Sequence, residues 1–220
     1  MARTVVSTSQ IGLAMITADP LHWGHILPPA FARKQFGLNQ VRFVTGNNPW
    51  KYRSADGGSD SPNSGITDGE IRHQMVVAGT RGDPYFEPDR VELDRGAVKT
   101  YTIDTLRLLR EQVGDDVAFN LIVGLDTVPK IIDWKEGEEV LRSVRLLVAP
   151  RDRVPGVRYV RRQLPPYAKF AIIECPVMTY SSTQIRQLIG MGEHRLAGYM
   201  MPAGARRIVV AHKLYRTTAA

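Results

Sequence analysis

Short apolar runs along the chain alternate with segments whose apolar residues recur every three to four positions, the pattern of a parallel α/β sheet. Residues 11–16 are a compact apolar run ending in Thr17-Ala18-Asp19-Pro20, which predicts a buried first strand. Residues 41–44 predict a second strand, residues 117–123 a long buried one, and residues 144–149 and 170–173 two more. Val91-Glu92-Leu93 alternates and predicts a strand at or near a sheet edge. Helical periodicity covers residues 24–36, where Pro28 and Pro29 must sit in the first turn or cause a kink. Thr67-Asp68-Gly69-Glu70 reads as a capping box, with Thr67 as N-cap and Glu70 at N3 of a helix running through Ala78. Residues 102–112 place Ile103, Leu106 and Leu109 on one helical face, and residues 182–189 follow the last strand as another helix. A final helix is predicted over residues 205–215, docking through Ile208, Val209 and Leu214. Residues 54–65 are rich in Gly, Ser, Asp and Asn and predict a mobile loop; residues 151–166 mix arginines with prolines and predict an excursion from the core. With no repeat and no linker, the expectation is one α/β domain over residues 1–220, its sheet open and parallel, with a C-terminal helical portion over residues 181–216.

Composition narrows the classes. A length of 220 residues, with 43% hydrophobic and 23% charged content, suits a globular enzyme with a proper core. No stretch approaches the ~20 apolar residues of a membrane helix, and the first residues lack the pattern of a secretory signal. Cys175 stands alone, which excludes an internal disulfide and a cysteine-based zinc site and makes the cytoplasm the expected compartment. The formal net charge of +7 favours anionic partners. Without a run of five Lys/Arg or an aromatic-basic pattern, small phosphorylated ligands lead; neither nucleic acid nor a membrane is expected as partner.

The richest segment is Asp19-Pro20-Leu21-His22-Trp23-Gly24-His25, between the first strand and the first helix. In an open α/β sheet, ligands bind at the carboxyl ends of the strands, where this turn emerges. His22 and His25 can both face such a site, and Gly24 lets a phosphate approach a helix N-terminus. Donors so placed would stabilise charge on a transferring phosphoryl group without a covalent enzyme intermediate. A metal pair is the weaker reading, because no carboxylate pattern supplies a third ligand. His73, His194 and His212 are scattered and read as solvated or capping.

His22-Trp23-Gly24-His25 resembles the HxGH signature of the nucleotidylyltransferase superfamily, whose fold is Rossmann-like with helices on both faces of the sheet. Ser181-Ser182-Thr183-Gln184-Ile185-Arg186 resembles that superfamily's second signature, again at a strand-to-helix turn. Within it the chain is most similar to bacterial nicotinate mononucleotide adenylyltransferase, over nearly its whole length. The resemblance runs through Thr45 to Lys51, Ile71-Arg72-His73-Gln74-Met75, Asp94-Arg95-Gly96 with Tyr101-Thr102, Gly124-Leu125-Asp126, Asp133-Trp134, Tyr199 to Pro202, and Lys213 to Arg216. By that resemblance His22, His25 and Arg186 would be catalytic, stabilising the transition state and gripping phosphates. Thr17, Asp19, Gly24, Gly124, Asp126, Ser181, Ser182 and Thr183 would hold the nucleotide, and Lys51, Thr102 and Trp134 the acceptor. The resemblance implies Mg²⁺ carried on the substrate phosphates with no dedicated protein ligands, and allows a homo-oligomer.

One departure bears on the substrate. The family's first strand ends in Gly-Gly-Thr-Phe-Asp-Pro, whereas this chain has Met15-Ile16-Thr17-Ala18-Asp19-Pro20. The leading expectation is a nucleoside triphosphate joined to a phosphate-bearing small molecule with release of pyrophosphate, most simply ATP and nicotinate mononucleotide. The alternative keeps the chemistry and changes the partners, to CTP or to a small phosphonate acceptor. A nucleotide-binding regulator without catalysis and a nucleic-acid binder are the readings from other classes; the intact histidines oppose the first and the missing recognition motif the second.

Overall fold

The computed structural model describes residues 9–47, 65–96, 99–151, 156–179 and 181–216. Six strands, β1 (Ser9–Ile16), β2 (Gln40–Thr45), β3 (Phe86–Asp89), β4 (Val117–Gly124), β5 (Arg145–Ala149) and β6 (Lys169–Ile172), form one sheet in the order β3-β2-β1-β4-β5-β6. Every pairing is parallel, so the connections are crossovers and the helices cover both faces. The strand order reverses direction between β1 and β4, and their carboxyl ends diverge to leave a crevice. That topology is Rossmann-like, as the motifs imply.

Strand alternation builds two cores. Leu13, Phe119, Leu121, Leu146 and Val148 point to one face, packing with Leu106 and Leu109 of α3 (Thr102–Val113) and Val140 and Leu141 of α4 (Gly137–Ser143). Ala14, Val41, Phe43, Leu147 and Ala149 point to the other. There they meet Ile26 and Ala32 of α1 (Trp23–Phe36), Met75 and Val76 of α2 (Gly69–Thr80), Ile185 and Ile189 of α6 (Ser182–Gly190), and Val209 of α8 (Ala203–Ala211). The remaining helices, α5 (Val157–Arg162) and α7 (His194–Tyr199), are one to two turns long.

Three sequence expectations are corrected. Residues 91–93 are not a strand: the edge strand is β3, and Leu93 begins a 3₁₀ turn ending at Arg95. β3 carries Pro88, tolerated because β3 pairs only with β2. The cap of α2 is Asp68, whose Oδ1 accepts from the amides of Glu70 and Ile71 at 2.9 and 3.3 Å, while Thr67 donates its hydroxyl to Tyr215. The last helix stops at Ala211, and Lys213 and Tyr215 then adopt positive φ of 52° and 61°. Within residues 151–166, α5 forms around the buried Val160. The loop expected over 54–65 lies outside the described residues apart from Gly65.

Helices α2 and α8 cross at their closest through Gly204, where an added Cβ would lie 1.8 Å from the Ala78 carbonyl oxygen. A backbone oxygen cannot move aside as a side chain would, so Gly204→Ala must push the helices apart. We expect it to cost about 3 kcal/mol, lowering the thermal midpoint by roughly 6–12 °C for a chain of this size. A midpoint within 2 °C of the parent would contradict the packing described.

Candidate active site

The carboxyl ends of β1 and β4 open onto one cleft of about 530 Å³. Thr17, His22, Gly24, His25, Thr102, Gly124, Asp126, Trp134 and Ser182, singled out from distant parts of the sequence, line it together. Met15, Ile16, Pro28, Met178, Lys130 and Arg151 also belong to its wall. Lys51 lies outside the described residues. Ser181, Thr183, Arg186 and Asp19 are not among the lining residues, and Asp19 is buried.

The first turn of α1 explains the histidine pair. His22 is an extended N-cap whose Nδ1 accepts from the Gly24 amide at 3.0 Å, and His25 Nδ1 accepts from the His22 amide at 3.3 Å. A capping box normally built from a hydroxyl and a carboxylate is here built from two imidazoles. Their rings stack with centroids 3.8 Å apart. Because both Nδ1 atoms accept from backbone amides, each neutral ring carries its proton on Nε2 and is a donor there. Gly24 is needed for this stack, since an added Cβ would lie 2.8 Å from His22 Cε1.

The same turn revises the expected role of the helix N-terminus. The Trp23 amide donates to Met200 O, the Gly24 amide to His22 Nδ1 and the His25 amide to His22 O. The first amides of α1 are therefore committed within the protein.

Burial, and then the positive charge of Arg151, lowers the His22 pKa to about 4. The folded protein thus holds His22 neutral, whereas the unfolded chain protonates it near 6.5. The resulting stability is full above pH 6.5 and declines as pH falls from 6.5 towards 4. On this basis the protein loses about 2 kcal/mol between pH 7.5 and pH 5 through His22 alone. His73 shifts in the same direction, chiefly through burial, so the His22 share is read by comparing urea melts of the parent and His22→Asn. The variant's loss over that range should be smaller by about 2 kcal/mol; equal losses would refute the assignment.

At the far side of the crevice, Ser181 is the N-cap of α6 in a second capping box with Gln184. Ser182 Oγ donates to Pro20 O at 3.1 Å, joining α6 to the turn after β1. Arg186 donates to Asp19 O at 2.6 Å and to Thr183 Oγ1 at 3.3 Å. Asp19 is fully buried, so its carboxylate organises the site from behind.

Two supports were not foreseen. Arg72 is 1% exposed and donates to four backbone carbonyls, those of Thr67, Thr17, Gly46 and Asn47, at 2.7–3.0 Å. Glu92 accepts from the Asn47 amide and from the hydroxyls of Thr100 and Thr105. Only the family resemblance drew attention to Arg72, and the apparent alternation at 91–93 hid Glu92. Arg151, which the sequence offers within a basic stretch as either a solvated cation or one closing over phosphates, stands two residues past the end of β5 and lines the cleft.

A family model described as cytidylyltransferase-like matches residues 16–188. A "probable nicotinate-nucleotide adenylyltransferase" of Salinispora arenicola is 34% identical over 91% of this chain and 98% of its own length. A protein of the same description from Moorella thermoacetica is 32% identical over 96% of this chain and 94% of its own. Among solved structures, the nicotinic acid mononucleotide adenylyltransferase of Plasmodium falciparum complexed with NaAD superposes with a TM-score of 0.73. It covers 94% of this chain and 97% of its own at 16% identity, which establishes the shared fold.

Proposed function

The chain belongs to the nicotinate-nucleotide adenylyltransferases of the cytidylyltransferase-like family, and we infer that it transfers the adenylyl group of ATP to nicotinate mononucleotide. The observation that carries the reading is the cleft at the β1/β4 crevice, lined by both histidines, by Gly124 and Asp126, and by Thr102 and Trp134. A phosphate oxygen of the acceptor attacks the α-phosphorus in line. The bond from that phosphorus to the bridging oxygen breaks, and pyrophosphate leaves. His22 and His25 donate from Nε2–H to the oxygens on which negative charge grows, and being held in place they need no reorganisation as it does. Held neutral by burial, His22 keeps Nε2–H as a donor to an incoming anion. Ser182, Thr183 and Arg186 hold the outer phosphates, while Trp134 and Thr102 receive the acceptor ring.

Among the described residues no group of three or more His, Cys, Asp or Glu is arranged to hold a metal. The cleft offers donors and cations that grip phosphate, so a Mg²⁺ ion fits as one carried on phosphate oxygens, where it would neutralise charge. Among the described residues no helix is long and apolar enough to cross a membrane.

Lys130 and Arg151 face the cleft against one acid, Asp126. Such a balance favours an acceptor bearing a ring carboxylate over the corresponding amide. With ATP held saturating, kcat/KM for nicotinate mononucleotide should exceed that for nicotinamide mononucleotide at least about tenfold. Equal values, or a preference for the amide, would overturn the acceptor assignment.

A further inference from the structure

Tyr215 lies near the C-terminal end of the described chain yet reaches back to the turn after β1. Its hydroxyl donates to Asp19 Oδ1 at 2.7 Å and accepts from Thr67 Oγ1 at 3.1 Å. The other carboxylate oxygen, Asp19 Oδ2, has no hydrogen-bond donor among the described residues, and Arg186 Nη1 stands 3.8 Å from it. The same Nη1 donates to the Asp19 carbonyl while Nη2 reaches Thr183. One tyrosine thus joins α2, the β1–α1 turn and the second phosphate signature.

The backbone is bent to make this contact. Lys213 and Tyr215 both take left-handed φ without being glycine, a conformation that costs of order 1 kcal/mol each and persists where surrounding contacts impose it. Burial and the neighbouring Asp19 carboxylate push the Tyr215 hydroxyl above its ordinary range, so it stays protonated and remains a donor at any working pH.

We propose that Tyr215 is a positioning residue for the triphosphate: by pinning Asp19 Oδ1 it fixes the carboxylate, which in turn holds the Arg186 guanidinium beside Thr183. The proposal rests on the reading of the cleft as a triphosphate site. Without the hydroxyl, the carboxylate is free to turn and take Arg186 through both oxygens, the geometry that pair prefers. The guanidinium then leaves Thr183 and the phosphates lose a cation. The acceptor side, built on Thr102 and Trp134, contacts none of these groups in the hydrogen-bond pattern.

The test uses Tyr215→Phe, Asp19→Asn and the double variant of the full chain, with inorganic tripolyphosphate and nicotinate mononucleotide as separate calorimetric probes. Tyr215→Phe should weaken tripolyphosphate about tenfold, the worth of one buried charge-assisted hydrogen bond, and leave nicotinate mononucleotide within twofold. In the Asp19→Asn background, the same change should add nothing, because the carboxylate through which Tyr215 acts is gone. Unchanged tripolyphosphate binding would overturn the proposal. So would equal weakening of both ligands, or an undiminished effect in the Asp19→Asn background, since each marks Tyr215 as a general strut. Should Tyr215→Phe fail to fold, Thr67→Val removes only the hydroxyl that orients Tyr215, and must weaken tripolyphosphate selectively. Pyrophosphate release by the unmodified enzyme is measured alongside: its absence refutes the adenylyl-transfer reading, whereas turnover with unaltered Tyr215→Phe binding refutes this inference alone.

Discussion

Alanine at His22 or at His25 is expected to lower kcat by about 10²–10³-fold, the range for removing a fixed donor aimed at transition-state charge. The Michaelis constants should move far less, because the charge these donors meet is larger in the transition state than in the bound substrates. The two positions differ in one respect. His22 is the N-cap of α1, so its loss also costs about 1 kcal/mol of stability. Asparagine at 22 restores a capping acceptor without an imidazole and should recover the stability while leaving turnover low. The two rings stack at 3.8 Å, and each Nδ1 serves the same turn, so the double alanine variant should fall little below the worse single one. Steady-state pyrophosphate release at saturating substrates reads all of these variants. Near-parental kcat in both single variants would remove the histidines from the mechanism.

The second large effect falls on stability. Arg72→Met should lower the thermal midpoint by roughly 8–16 °C, from about 4 kcal/mol lost when a buried guanidinium is deleted and its acceptors are stranded. Four carbonyls, on the strand ends of β1 and β2 and at the entry to α2, converge on that one side chain. Lysine is no remedy: a single ammonium cannot reproduce the planar fork that spans four acceptors, and Arg72→Lys should recover less than half of the loss. Since Thr17 lines the cleft and is assigned to the nucleotide, whatever folded protein remains should bind the nucleoside triphosphate less tightly. A midpoint for Arg72→Met within 2 °C of the parent, measured by circular dichroism, would contradict the clamp.

The fold was legible because buried parallel strands leave uninterrupted apolar runs, and β1, β2, β4 and β5 fall within a residue or two of where those runs lie. The histidine turn was legible because its chemistry is compressed into four residues at a strand end. Contacts between distant segments were not. Thr67 satisfies every local rule for a helix cap, yet its hydroxyl goes to Tyr215, 148 residues away, and Asp68 caps instead. Glu92 alternates like an edge-strand residue but is buried by partners on Asn47, Thr100 and Thr105. Asp19 reads as a nucleotide ligand from its motif, and nothing local in the sequence shows that it is buried against Tyr215 and Arg186. Met15 and Ile16, which replace the family's glycines, line the cleft from opposite faces of β1 and pack against opposite cores. Their side chains are accommodated beside the crevice, and the fold around them is kept.

Adenylyl transfer carries the α-phosphate of ATP into a dinucleotide with nicotinate mononucleotide. Parallel reactions with α- and γ-labelled ATP, separated by ion-exchange chromatography, test it directly. The α-label should appear in nicotinate adenine dinucleotide and the γ-label wholly in pyrophosphate, with neither formed when the acceptor is omitted. Label from the α position recovered as ADP or AMP with nicotinate mononucleotide unmodified would contradict it.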